Sequence, residues 1–118
     1  MRQFEGFPIS LLGDDTMGVR IEAGSVQRLI GNVEVSHLSL QRVTWWGSSE
    51  LLTLQELQLN PGRFGELVSI RPRVSMLGAG EWSYGPLELM IRSQLIVTIT
   101  NTSGAAQRVQ ELTVWCST

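Results

Sequence analysis

Between Leu87 and Trp115 apolar and polar residues recur with a period close to two, and this confines the chain to β structure more than any other feature. Leu87, Leu89 and Ile91 lie on one parity. The run Leu95-Ile96-Val97-Thr98-Ile99-Thr100 is rich in β-branched side chains, which lose little freedom on a pleated sheet and crowd a helix. Asn101-Thr102-Ser103-Gly104-Ala105-Ala106 is a turn, since Asn and Gly accept left-handed backbone and Ser and Thr hydroxyls bind local amides. The chain then returns through Val109, Leu112, Val114 and Cys116, so the segment reads as two long strands folded back on each other.

The preceding residues follow the same grammar. Phe7–Leu12 reads as a first strand, with Pro8 suited to an edge or a strand start. Val19–Glu22 is a second strand and Val26–Ile30 a third, each bounded by Gly, Asp or Ser. Val33–Trp46 is a long run whose apolar residues change parity between Val35 and Leu38. One extra residue flips every later side chain to the other face, so a bulge near Ser36-His37 is expected. Glu50–Leu59 fits either an amphipathic helix or a strand, and the flanking strands favour strand. In Leu67–Met76, Val68, Ile70, Val74 and Met76 share one face and Arg71 and Arg73 the other, with Pro72 removing a donor. Leu77–Gly80 reads as a turn, and Glu81–Tyr84 as a short strand or exposed loop before Gly85-Pro86. About eight strands, broken by glycine-rich turns roughly every ten residues, predict an all-β, jelly-roll-like antiparallel β-sandwich over residues 1–118 as a single domain.

The arrangement Met90-Ile91-Arg92-Ser93-Gln94, then Leu95–Thr100, then Asn101–Ala106, then Val109–Trp115 resembles the last strands of small viral and phage jelly-roll capsid or decoration proteins. The resemblance covers about a quarter of the chain, extends to other β-sandwiches such as carbohydrate-binding modules, and has Ser93 where a Pro-Gly turn is usual. It implies a structural component of a shell, made in a host cytoplasm and residing in the virion; otherwise the chain is expected in a cytoplasm.

Composition narrows the chemistry. The formal charge is −2, which opposes general nucleic-acid binding. All nine basic residues are Arg; planar, weakly hydrated guanidinium suits subunit interfaces, although base composition or heat adaptation would also produce this bias. Arg63, Arg71 and Arg73 beside Phe64 are the one basic concentration, and Glu66 and Glu81 dilute it. His37 is the sole histidine, so a Ser-His-Asp set would rest on it with Asp14 or Asp15, in no supporting motif. One His and one Cys fall short of a copper or structural zinc ligand set, and adjacent Asp14-Asp15 lack the spacing of a calcium loop. The chain is therefore read as a non-enzyme without metal or cofactor; a cupin-like enzyme would need more histidines. Cys116 reads as a small buried hydrophobe. Asn101-Thr102-Ser103 matches a glycosylation acceptor but, with no apolar leader in Met1–Glu5, is better read as turn chemistry. No apolar run is long enough to span a membrane as a helix.

Aromatic residues remain. Trp45 and Trp46, adjacent in a strand, must point to opposite faces, so one fills the core and the other needs a cover. That cover is the domain's own loops, a neighbouring subunit or a sugar ring. The expectation adopted is subunit contact through Trp45, Trp46, Phe64, Arg71, Arg73, Trp82 and Tyr84, giving a homo-oligomer (trimer or pentamer) that also meets other shell proteins. The alternative is a carbohydrate-binding module using Trp46 or Trp82.

Overall fold

The computed structural model describes residues 7–12, 18–34, 38–60, 67–89 and 92–117. Ten strand segments run in order: β1 (Phe7–Ser10), β2 (Val19–Ile21), β3 (Val26–Asn32), β4 (Leu38–Gly47), β5 (Leu52–Asn60), β6 (Val68–Ile70), β7 (Val74–Ser75), β8 (Gly78–Leu89), β9 (Gln94–Asn101) and β10 (Gln107–Ser117). Among the described residues there is no helix. The segment Glu50–Leu59, ambiguous by pattern, is strand.

The strands form two antiparallel sheets. In sheet A, β1 and β2 follow one another along one side of β10, whose other side pairs with β4, and β4 pairs with β8. In sheet B the order is β3-β9-β5, with β6 and β7 following one another along the far side of β5. Counting each split edge once gives eight strand positions. The first half of the chain pairs with the second in mirrored order: β1/β2 with β10, β3 with β9, β4 with β8, β5 with β6/β7. Successive pairs alternate between the sheets, which is the jelly-roll form of the antiparallel sandwich.

One core lies between the sheets. Leu38, Leu40, Val43 and Trp45 from β4 and Val109, Leu112, Val114 and Cys116 from β10 meet Leu52, Leu54, Leu57 and Leu59 from β5 and Leu95, Val97 and Ile99 from β9. In β4, β5 and β10 the buried positions are not strictly alternate; each skips one residue. The registers explain the skips: Gln41 is extra in β4 against β10, Gln55 in β5 against β9, and Gln110 in β10 against β4. Each glutamine forms a bulge that changes the parity of the residues beyond it. The parity change anticipated near Ser36-His37 falls outside the described residues at 35–37, while β4 itself changes parity at Gln41.

Two expectations are corrected. The final segment is not a hairpin: β9 lies in sheet B and β10 in sheet A, so the turn between them crosses from one sheet to the other. Alternation marks which face of a strand is buried, and both strands bury theirs in the same core, but it carries no label for the neighbour. Second, Leu77–Tyr84 is not a turn followed by a short strand. Residues from Gly78 onward belong to the twelve-residue β8, which continues through Gly85-Pro86. An edge strand tolerates Pro because one side of its ladder has no acceptor waiting.

The crossing turn is held by Asn101, whose side chain is 1% exposed. Its Nδ2 donates to the carbonyls of Ile21 (2.9 Å), Glu22 (3.1 Å) and Ala105 (3.0 Å), while its Oδ1 accepts from the Ser103 amide (2.9 Å) and hydroxyl (2.7 Å). The acceptor motif at Asn101 is therefore turn chemistry, with its amide consumed inside the fold.

Candidate interaction surface

Sheet A turns one face to the core and the other outward. Because Val43 and Trp45 point inward, Arg42, Thr44 and Trp46 on β4 point out, beside Glu111, Thr113 and Trp115 of β10 and Ala79, Glu81 and Ser83 of β8. On this face the Trp115 indole Nε1 donates to Thr44 Oγ1 (2.8 Å), and the Arg42 guanidinium lies 5.5 Å from the Trp115 ring centroid. Arg42 also pairs with Glu81 at 3.3 Å; both side chains are about half exposed, so the pair contributes little to stability. Its effect is to flatten Arg42 across Trp115. Trp46, further along β4, stays 38% exposed with no such cover. Between them a shallow hollow of about 460 Å³ is lined by Thr44, Ala79, Glu81 and Glu111, with Trp45 and Gly80 forming its floor.

The aromatic pair Trp45-Trp46 divides between the faces as their adjacency requires. Trp45 is corrected from the interface set: it is 5% exposed and packs over Gly80, where a methyl group would come within 2.6 Å of its Nε1. Trp82 is likewise drawn toward the core as a half-buried side chain, and it stacks on Tyr84 with ring centroids 5.4 Å apart. Tyr84 keeps the exposed side of that stack, at 41%. Arg71 is exposed beside Glu56 (3.8 Å), and the same carboxylate accepts from the Ser69 hydroxyl and from Gln58 (3.4 Å). Arg73 is exposed with φ 53°, a left-handed conformation that separates β6 from β7. Phe64 and Arg63 lie outside the described residues, as do His37, Asp14 and Asp15. The structure therefore brings Trp82 and Tyr84 together, leaves Trp46 on a separate outer face, and places Arg71 and Arg73 on the split edge of sheet B.

Three features escape the sequence reading. Trp115 belongs to the outer face, a position that follows from its alternation with the buried Val114 and Cys116. Val26 and Ile30 on β3 are 60% and 54% exposed, although their strand had registered only as apolar. The sequence did not mark them, because Val26 and Ile30 lie on one parity and Leu29 on the other; the burial of Leu29 in the structure is what sets the even positions outward. Finally, Leu51 and Leu77, both exposed, sit in the loops at the end of the sandwich reached by Trp46.

Cys116 is fully buried, and desolvation pushes its thiol from 9.0 up to about 11. It is a packing residue held in its neutral form. Among the described residues no group of three or more His, Cys, Asp or Glu is placed to hold a metal ion, and no helix is long and apolar enough to cross a membrane.

The fold and surface together define an antiparallel, jelly-roll-like β-sandwich with apolar side chains on both outer faces. Comparison with family models, with curated proteins and with solved structures finds no match to this chain.

Proposed function

We propose that this chain is a non-enzymatic structural module that assembles with copies of itself and with companion proteins, in the manner of phage or viral capsid, decoration or spike-base components. The observation that carries the reading is the exposure of large apolar side chains at regular sheet positions: Val26 and Ile30 outside sheet B, and Trp46 outside sheet A. Isolated exposed hydrophobes are ordinary, but repeated ones on flat sheet faces favour burial against a neighbour. A stiff sandwich suits the role because its loops and faces keep fixed positions while contacts repeat. Heterologous contacts that close would give a trimer or pentamer, and the location expected for such a component is the virion.

Size-exclusion chromatography with light scattering, followed by electron microscopy of the same fractions, tests this. A defined oligomer, ring or shell is expected; a monomer that persists to about 100 μM overturns the reading. The second reading, carbohydrate binding, is favoured by the half-exposed Trp46 indole beside Thr44, Glu81 and Glu111, a flat apolar surface edged by hydrogen-bonding groups. Retention on immobilised glycans by a monomer, lost in Trp46→Ala with the mass unchanged, would select it.

A further inference from the structure

The four sheet edges differ in how well they resist pairing with another strand. One edge of sheet A is divided between β1 and β2 and carries Pro8; the other, β8, contains Pro86 and a register irregularity opposite Leu40–Arg42. One edge of sheet B is split between β6 and β7 by Arg71-Pro72-Arg73. Interruptions, prolines and bulges of this kind prevent edge-to-edge association. β3 has none of them. Its seven residues pair with β9 without a register shift and contain neither Pro nor Lys.

The main-chain hydrogen bonds show which β3 groups face outward. Asn101 N donates to Ser25 O and Val33 N donates to Ser93 O, both at 2.9 Å, in the register that continues through β3. Odd-numbered residues therefore exchange hydrogen bonds with β9, and the amides and carbonyls of Val26, Arg28, Ile30 and Asn32 point away from the sheet. The same four residues carry their side chains to the outer face, where Ile30 lies beside the half-buried Ile96. Arg28 and Glu34 are exposed, and neither has an ion-pair partner among the described residues.

We propose that β3 pairs antiparallel with β3 of a second copy, about a two-fold axis at Ile30, so that two sheets B become one continuous sheet. This rests on the assembly reading above and adds to it a two-fold, isologous contact, distinct from the heterologous contacts that would close a ring. A second copy is the occupant because the edge complements itself in this register. Ile30 faces Ile30 of the partner subunit, Arg28 faces the partner's Asn32, and Arg28 lies diagonal to the partner's Glu34, within reach of an ion pair. Sliding one strand by two residues in one direction sets Arg28 against the partner's Ile30, and by four against the partner's Arg28, where like charges repel. Sliding it by two in the other sets Arg28 against the partner's Glu34 but takes Ile30 off Ile30 and onto the partner's Asn32. The paired strands satisfy the outward-facing amides and carbonyls and bury Ile30 and Ile96 of each copy in a single strip.

The test compares the mass and dissociation constant of the full chain with those of Arg28→Glu, Glu34→Arg, the double reversal and Ile30→Lys, using analytical ultracentrifugation with near-UV circular dichroism to verify folding. A two-fold species is expected, weakened at least about tenfold by either single reversal and restored by the double reversal. Ile30→Lys sets two ammonium groups at the axis and should leave a monomer; if that variant fails to fold, the reversal pair still decides. A trimer or pentamer unaffected by the reversals overturns β3 pairing and leaves assembly through another surface. A wild-type monomer overturns both.

Discussion

At the scale of single residues, one buried polar side chain holds the crossing between the sheets. Asn101 ties the β9–β10 crossing to the end of β2, and its three donated hydrogen bonds serve carbonyls from two parts of the chain. Asn101→Ala leaves buried carbonyls unmatched and should lower unfolding free energy by about 3 kcal/mol. Asn101→Asp should cost more, because a carboxylate oxygen replaces the donor and faces those carbonyls. Urea unfolding followed by tryptophan fluorescence measures both, with the exposed Thr102→Ala as a control expected to stay within about 1 kcal/mol. Cys116 gives a pH-dependent prediction. Its thiol ionises near 9 when unfolded but only near 11 when folded, so the folded state holds the proton longer. The stability it lends is complete below pH 9 and is lost as pH rises from 9 to 11. Relative to wild type, Cys116→Ala should be less stable at pH 7 through lost packing, yet decline less between pH 9 and 11. Thiol titration at pH 8 should find the wild-type cysteine unreactive until the chain unfolds.

At the scale of elements, the bulges decide which side chains reach the core. Gln55 is the extra residue that lets Leu52 and Leu54 point inward on one parity and Leu57 and Leu59 on the other. Were β5 to pair with β9 without this bulge, Glu56 and Gln58 would point inward and Leu57 and Leu59 outward. Each leucine contributes roughly 2 kcal/mol by area alone, before the burial of a carboxylate is counted. Deleting Gln55 removes the extra residue and the bulge together, so Glu56 stays outward opposite Thr98 and Leu57 inward opposite Val97. The deletion should therefore keep the cooperative thermal transition seen by circular dichroism, and Gln55→Ala should shift unfolding free energy by less than about 1 kcal/mol. The same bulge explains why Glu50–Leu59 looked partly helical: a three-residue step between Leu54 and Leu57 mimics helical spacing inside a strand. Strand existence was legible because Gly, Pro, Asn and Ser punctuate the alternation. Pairing was not, because Leu95–Thr100 and Val109–Trp115 record a buried face and nothing about the adjoining strand. The candidate surface was legible only where parity was unambiguous. Trp46 followed from its adjacency to Trp45, whereas in Val26–Ile30 apolar residues occupy both parities and conceal the outward pair.

At the scale of the whole molecule, assembly and stability become one measurement. The two sheets share a core drawn from both halves of the chain, so the folded monomer needs no partner to bury it. The outer residues Val26, Ile30 and Trp46 are different, since they gain only when copies meet. Association that requires the folded state must stabilise that state by mass action, and the midpoint of thermal unfolding then rises with protein concentration. A hundredfold increase beyond the dissociation constant supplies about 2.7 kcal/mol, which for a chain of this size corresponds to a shift of roughly 5–15 °C. Wild-type protein scanned calorimetrically from about 1 to 100 μM should show that rise, and Ile30→Lys should melt at a constant temperature near the wild-type low-concentration value. A concentration-independent midpoint for the wild type would mean that its exposed apolar side chains do not bind a second copy. Raising the salt separates the forces involved: at 1 M the screening length falls to about 3 Å, which should remove the Arg28–Glu34 contribution while leaving the strand ladder and the isoleucine strip in place. Association should therefore weaken with salt but persist, and the Arg28→Glu and Glu34→Arg variants should approach wild type under the same conditions.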